Sequence, residues 1–286
     1  MPEYPFYRLV TVGWANPLVR PTVELIRQPP SEATVDLSAV TFVDSFGVTY
    51  LAACVHRCLD AGSAVTIRVP RDAGVSTYLR DIGFYESIGI GEYFPARRPS
   101  TNRVDLAHIT RLEPGFIDYL LDFLEQYQPF EEGLRPSIRL TLLELVQNFA
   151  EHSGSVSGAW VCGQFHPYSK ETKSPRVTLC VLDLGRGIAT ALRTVHRYRR
   201  LMDAELVELA TLEGVSSARK SRGRGLSTIR EIARTNGGTM TIVSGSGRVR
   251  FRPDRRPEQL RALDQVFPGS AVFLSLVPTG RGLYPV

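Results

Sequence analysis

The sequence of 286 residues has no run of about 20 consecutive apolar residues, the length that a membrane-spanning helix requires. Its first residues, Met1-Pro2-Glu3-Tyr4-Pro5, do not form a basic segment followed by an apolar one, so a secretory signal is not expected. These two absences argue against a membrane protein or a secreted protein. We therefore expect a cytoplasmic protein with no membrane partner.

Cysteine is also scarce, and its spacing excludes the common thiolate metal sites. No two cysteines form a Cys-x-x-Cys pair, and no histidine stands at zinc-finger spacing from them. The four residues are Cys54, Cys58, Cys162 and Cys180. In a reducing compartment this pattern predicts four buried thiols.

The composition is that of a folded protein, with 43% hydrophobic and 22% charged residues. The formal net charge is +5, and the isoelectric point is near 9.1. Basic residues concentrate in residues 197–224 and 248–256. Such clusters can bind the phosphates of a small ligand as well as those of a nucleic acid.

The first hundred residues alternate between strand and helix patterns. β-branched runs predict strands over 33–37 and 64–69, and apolar residues at helical spacing predict helices over 47–59 and 75–82. This order predicts a small sheet covered by helices, in a domain over residues 1–98. A polar, proline-bearing stretch follows, and we place a linker at 99–112.

Residues 113–286 predict a second α/β domain. Helices are expected over 114–127, from Pro136 to about His152, and over 225–235. Strands are expected over 158–165, 177–184, 239–244 and 271–276.

The helix that begins near Pro136 carries a polar stripe formed by Glu144, Asn148 and His152. A step of four residues advances little more than one helical turn, so the three side chains share one face. A carboxylate and a carboxamide one turn apart can both face a hydrated Mg2+ ion, which takes few protein ligands. A solvent-exposed polar face is the alternative interpretation.

Two glycine-bearing segments complete a candidate site. Asp183 ends an apolar strand, and Gly185 and Gly187 then allow the backbone to pass close to a ligand, although an ordinary turn has the same composition. Farther on, Gly223-Arg224-Gly225-Leu226 opens a helix, whose free N–H groups and dipole suit a phosphate.

Taken in this order, the three segments resemble the GHKL family of ATPases and kinases (gyrase, chaperone, histidine kinase, mismatch repair). The family motifs are Glu-x-x-x-Asn-x-x-x-His, Asp-x-Gly-x-Gly and Gly-x-Gly-Leu, and Gly269-Ser270 fits the Gly-Ser/Thr that precedes the last strand. The resemblance implies an α/β sandwich with a mixed sheet, which binds ATP and Mg2+. It also implies that residues 189–222 form a lid over the nucleotide.

The same resemblance implies a role for each matching residue. Asn148 would ligate Mg2+, Glu144 would polarise the attacking group or a water, and Asp183 would bind the adenine amine. The remaining cofactor-binding positions, which would contact the nucleotide through the backbone or hold its phosphates, are Gly185, Gly187, Gly223, Arg224, Gly225 and Leu226.

The N-terminal half resembles the STAS domain of bacterial anti-sigma-factor antagonists. The matching segment runs from Val35 to Val48 and contains Asp-Leu-Ser followed by Phe-Val-Asp-Ser. In that family a partner kinase phosphorylates the serine after the aspartate, which is Ser45 here. A serine that caps a helix is the alternative interpretation.

We therefore expect an ATP- and Mg2+-binding signalling protein that has a protein partner. The sequence is also compatible with a homodimer. The sequence leaves open whether it acts as a serine/threonine kinase, as an ATPase switch, or as a nucleotide-gated interaction module without turnover. Two weaker alternatives are a histidine kinase that uses His108 and a nucleic-acid-binding protein that uses Arg248–Arg252.

Overall fold

The fold is known from a computed structural model, which describes most of the chain. The described residues are 3–5, 22–23, 25–98, 100–130, 133–151, 158–167, 174–215, 225–253, 255–260 and 262–278. The described residues form a mixed α/β fold with two sheets, one of three strands and one of seven.

The N-terminal part contains a small parallel sheet with helices around it. The sheet has the order β1-β2-β3, with strands β1 (Glu3–Pro5), β2 (Glu32–Asp36) and β3 (Ala64–Arg68). The described helices of this part include α1 (Ser45–Asp60), α2 (Ala73–Asp81) and α3 (Phe84–Ser87). The β-α-β-α order expected from the sequence is confirmed.

Local chemistry explains where these helices begin. Asp44 caps α1 because its Oδ1 accepts a hydrogen bond from the backbone N–H of Gly47 at 2.8 Å. Asp72 caps α2 in the same way, accepting from Val75 N at 2.9 Å. Ser45 is the first residue of α1, so the interpretation of Ser45 as the helix cap was wrong.

The larger sheet has the order β4-β5-β6-β10-β7-β8-β9. Its strands are β4 (Arg103–Ile109), β5 (Ala159–His166), β6 (Arg176–Asp183), β7 (Thr239–Gly245), β8 (Gly247–Phe251), β9 (Glu258–Gln259) and β10 (Phe267–Leu276). The helices of this part are α4 (Pro114–Tyr127), α5 (Arg135–Glu151), α6 (Ile188–Arg193), α7 (Asp203–Ala210) and α8 (Gly225–Thr235).

The larger sheet is antiparallel at each of its strand pairings, so the expectation of a mixed sheet was wrong. The reason lies in the position of the last strand. A helical crossover joins β6 to β7, which run in the same direction, but β10 lies between them and is antiparallel to both. The two parallel strands are therefore never neighbours.

Alternating side chains give the larger sheet two buried faces. On the front face, Leu179 and Val181 of β6 pack with apolar residues of α4, α5 and α8. On the back face, Cys180 and Leu182 pack with residues of α1 and of the N-terminal part. Helix α1 is consequently covered on both sides, by the small sheet and by the large one.

Residues 99–112, expected as a linker between domains, contain the edge strand β4, and their role as a linker stays a prediction. β4 pairs with β5, and the backbone N–H of Leu106 also donates to Ile82 O at 2.9 Å. Its side chains contribute to the cores on both faces of the sheet, because Val104 packs on the front face and Leu106 on the back face. The division into residues 1–98 and 113–286 stays a prediction.

The remaining expected elements agree with the structure to within a few residues. Among the described residues, no helix combines the length and the apolar character that crossing a bilayer requires.

Candidate nucleotide site

Three polar residues form a row across the end of the larger sheet. In the strand register Ser270 of β10 lies opposite Asp183 of β6 on one side and opposite Ser244 of β7 on the other. All three side chains point to the front face, because the residues two positions away along each strand belong to the front-face core. The row therefore lies on the side that carries α5 and α8.

Asp183 is the most unusual member of this row, because it is a carboxyl group that is only 2% exposed. Its Oδ1 accepts a hydrogen bond from Gly185 N at 2.6 Å. Burial raises the pKa of Asp183 to about 7, although backbone hydrogen bonds from Gly185 and Ser270 act in the opposite direction. A carboxyl group in such a place is a strong candidate for ligand recognition.

The turn after Asp183 depends on Gly187. This glycine has a φ of 77°, and a Cβ atom there would lie 2.5 Å from Gly269 O and 2.8 Å from Ser244 Oγ. Helix α6 begins directly afterwards, and the two serines satisfy its first N–H groups. Ile188 N donates to Ser270 Oγ at 2.8 Å, and Ala189 N donates to Ser244 Oγ at 3.1 Å.

A second group of expected site residues lies where α5 meets the start of α8. A Cβ atom on Gly225 would lie 3.2 Å from the Cβ and 3.4 Å from the Oε2 of Glu144. The start of α8 therefore lies close to the Glu144 side chain, which would have to shift slightly to admit a side chain at residue 225. Glu144 is half-buried, and Asn148, one turn later, is exposed.

A shared apolar boundary connects the two groups of residues. Leu226 follows Gly225 and Ile188 follows Gly187, and both pack against the front-face core and against a small cluster formed by α6 and α7. Of the expected site residues, His152, Gly223 and Arg224 lie outside the described residues.

The first part of the expected lid is fixed to the sheet. Asp203, at the start of α7, forms an ion pair with Arg193 at 2.5 Å and accepts from Ser246 N at 2.8 Å. Arg230 of α8 donates to Thr211 Oγ1 at 3.1 Å. The lid as a mobile cover stays a prediction, and residues 216–222 lie outside the described part of the chain.

The donors available for a metal ion fit Mg2+ better than a transition metal. Among the described residues, no three His, Cys, Asp or Glu side chains come together as metal ligands. The expected site offers instead the carboxamide of Asn148 and the carboxylate of Glu144. Magnesium suits such a site, since it keeps several waters and is often held by substrate phosphates.

Ser244 was not expected from the sequence, and Ser270 was noted only as part of a motif. Both are serines near one end of a strand, and both are fully or almost fully buried. A small polar residue next to a glycine at the end of an apolar run is the signal that could have identified them.

Ser45, the expected phosphoacceptor, is completely buried between α1 and the back face. Its Oγ lies 3.2 Å from Thr178 Oγ1. A kinase could reach this hydroxyl only if α1 moved away from the sheet. Its modification stays a prediction.

The structure also shows the residues of the two alternative functions, histidine kinase and nucleic-acid binding. His108 belongs to strand β4 and stacks on Trp160, with ring centroids 4.4 Å apart, whereas a histidine kinase needs its histidine on a dimerising helix. In the basic segment 248–252, Arg248 is only 5% exposed and Arg252 pairs with Glu258 at 3.1 Å. Neither alternative gains support.

The four cysteines are free and buried, as expected. No model of a known protein family matches the chain, and no curated protein matches it.

Proposed function

We propose that the chain binds ATP with Mg2+ in its C-terminal half and is a cytoplasmic signalling protein of the GHKL type. The observation that carries this proposal is Asp183, a buried carboxyl group with a pKa near 7 beside a glycine turn. A buried carboxylate that is kept at a cost in stability suits an acceptor for the exocyclic amine of adenine.

The other end of the nucleotide would lie at α8. The phosphates would lie at the start of this helix, because unpaired N–H groups and the helix dipole attract anions. The close approach of Gly225 to Glu144 brings this helix start beside the candidate base. Gly223, Arg224 and Leu226 would complete it. Asn148 would hold Mg2+ between the protein and the phosphates.

Glu144 is the candidate general base. It is half-buried beside the proposed phosphate site, where a carboxylate can take a proton from a water or from a serine or threonine hydroxyl. Both an ATPase and a protein kinase would use it in this way. A nucleotide-gated interaction module would bind ATP at the same residues without turnover.

The N-terminal part would act as a STAS-like regulatory domain. Its helix α1 packs on the back of the sheet whose front carries the candidate nucleotide site, which supports a regulatory role for contacts between the two parts. Ser45 would be the phosphoacceptor once α1 is released. The proposal includes binding to a protein partner and formation of a homodimer.

The test of the reaction is incubation with ATP labelled at the γ-phosphate, in the presence of Mg2+. We expect Glu144→Ala to retain nucleotide binding and to lose phosphate transfer, and Asn148→Ala to lose its response to Mg2+. Glu92→Ala and Asn102→Ala, at exposed positions away from the site, are the matched controls.

The fate of the label separates the alternatives. Labelled protein that disappears in Ser45→Ala indicates a kinase, and free phosphate without labelled protein indicates an ATPase. Binding with neither product indicates an interaction module. Absence of ATP binding by the unmodified chain contradicts the proposal.

A further inference from the structure

A second polar cluster lies on the back face of the larger sheet, at the opposite end of β6 from Asp183. His166 of β5 and Arg176 of β6 are direct partners in the antiparallel register. Residues at alternate positions along these strands, Cys162 and Cys180, belong to the back-face core, so both polar side chains point toward the N-terminal part. Both are half-buried and therefore reach solvent.

Among the described residues, none provides Arg176 with the counter-charge that a half-buried guanidinium normally has. Its Nε atom is buried without a hydrogen-bond partner, and within the described part of the chain no carboxylate forms an ion pair with it. Burial lowers the pKa of Arg176, and burial also lowers the pKa of His166. Two groups that can carry positive charge are thus brought together and partly desolvated, which is costly without a counter-charge.

One hydroxyl group lies beside the imidazole of His166. Thr178 Oγ1 is 3.3 Å from His166 Nε2, 3.3 Å from the backbone oxygen of Gln164 and 3.2 Å from Ser45 Oγ. The contact with Thr178 orients the imidazole through Nε2 and leaves Nδ1 available to a ligand.

We propose that His166 and Arg176 form a binding site for the phosphate group of a small molecule, separate from the nucleotide site. A phosphate monoester carries between one and two negative charges at neutral pH and so matches one guanidinium and one imidazolium. A carboxylate carries one negative charge and would neutralise only one of these two positive groups.

The site also adjoins the contact between the two parts of the chain. Thr178 Oγ1 lies 3.2 Å from Ser45 Oγ, at the start of α1. Asp44, the acid at this helix end, uses its Oδ1 to cap Gly47 N. A phosphate that binds only when α1 is docked on the sheet would stabilise the docked arrangement by mass action.

Inorganic phosphate is the probe for this site, and the histidine ring signals of the full-length chain are the readout. The chain has five histidines, and the His166 signal is identified by its loss in His166→Gln. In the absence of nucleotide and Mg2+, phosphate at constant ionic strength should raise the pKa of His166. It should also raise the thermal unfolding midpoint.

Three variants make the test specific. Arg176→Met, which keeps the apolar stem, should weaken phosphate binding by at least about tenfold, since a charge-assisted hydrogen bond contributes that much. Arg176→Lys should restore part of the affinity. Arg111→Gln, at an exposed arginine outside the proposed nucleotide site and its lid, should leave it unchanged.

The outcomes are separable from those of the ATP experiments. Phosphate binding that is lost in Arg176→Met and kept in Asp183→Asn supports the site, even if ATP does not bind at all. Absence of a phosphate effect on His166, an unchanged effect in Arg176→Met, or equal binding of acetate would overturn it.

Discussion

Asp183 shows at the scale of a single residue how a binding site conflicts with stability. Carboxyl groups are almost never this deeply buried unless they are paired, and among the described residues no cation forms an ion pair with Asp183. The backbone N–H groups of Gly185 and Ser270 satisfy part of its hydrogen-bonding capacity but do not neutralise its charge. The ionised form is therefore unfavourable until a donor from a ligand reaches it.

This conflict predicts how stability depends on pH. The folded-state pKa of Asp183, about 7, lies above its ordinary value of 3.8, so the folded protein binds the extra proton between these pH values. The contribution of this group to stability is therefore lost as pH rises through 7. Asp183→Asn has no carboxyl group there and does not show this loss. We therefore expect its free energy of unfolding, relative to that of the unmodified chain, to be roughly 2–4 kcal/mol higher at pH 8.5 than at pH 4. Urea unfolding at the two pH values measures the difference, and a difference that does not change with pH would contradict the burial of an ionisable Asp183.

Gly187 gives a second prediction at the residue scale. Gly187→Ala introduces both a side chain at positive φ and a collision with Gly269 O, so we expect it to lower the free energy of unfolding by at least about 3 kcal/mol. Gly62→Ala is the matched control, because Gly62 has a φ of 82° and no atom within 4 Å of the added Cβ. Its cost should be about 1–2 kcal/mol. Equal costs for the two variants would show that the turn has room for a side chain.

Helix α7 illustrates the scale of single elements, because a few polar contacts fix it to the turn between β7 and β8. Asp203 carries these contacts and bonds Arg193, Ser246 N and Ser246 Oγ. The hydrogen bonds from Arg193 and Ser246 outweigh burial and lower the pKa of Asp203. The first part of the proposed lid is thus anchored to the larger sheet.

Removing this anchor predicts a loss of stability at neutral pH. We expect Asp203→Asn to lower the free energy of unfolding by about 1–3 kcal/mol at pH 7, since several hydrogen bonds to a carboxylate are weakened. Because the folded pKa is lowered, the difference from the unmodified chain should shrink as pH falls below the ordinary value of 3.8. Asp122→Asn, which removes an exposed ion pair with Arg135, should cost at most about 1 kcal/mol. Chemical unfolding at pH 7 and pH 3 tests both variants, and a pH-independent loss in Asp203→Asn would contradict the anchor.

Most elements could be predicted from the sequence because their periodicity is strong. Helix α4 and the strands β5, β6 and β7 have apolar patterns that are visible without tertiary information. Strand β4 was missed because its alternate residues enter two different cores, so no single apolar face marks it. Helices α6 and α7 are short, and tertiary contacts stabilise them more than their sequence patterns do.

At the scale of the whole molecule, the packing of α1 decides the architecture. One apolar cluster contains Phe46 and Tyr50 of α1 together with Trp160 and Phe267 of the larger sheet. The ring centroids of Phe267 and Tyr50 are 5.1 Å apart. The two parts of the chain therefore share a core across the back face.

The contact between the two parts was not predicted, although a signal for it exists. The first eleven residues of α1 are all buried, and the segment from Phe46 to Val55 contains no charged residue. A helix that is apolar on all sides must be covered on all sides, which a small three-stranded sheet cannot do alone. The partner that covers it could not be named from the sequence, because burial patterns do not specify which surfaces meet.

The shared core predicts that the two parts do not fold independently. A fragment of residues 99–286 would expose the back face, and we expect it to bind hydrophobic dyes and to unfold at a lower temperature than the full chain. Adding a fragment of residues 1–98 should restore the higher midpoint. A fragment of residues 113–286, which lacks β4, should be less soluble than the fragment of residues 99–286. A full-length unfolding midpoint for residues 99–286 alone would contradict the shared core.

Equilibrium binding of ATP with Mg2+, measured by calorimetry on the unmodified chain and on Asp183→Asn, tests the central claim most directly. We predict one ATP per chain for the unmodified protein and an affinity at least about tenfold weaker for Asp183→Asn, because the adenine amine loses its charged acceptor. Asp122→Asn should bind as the unmodified chain does. No binding by the unmodified chain, or equal affinities for it and Asp183→Asn, would contradict the proposed nucleotide site.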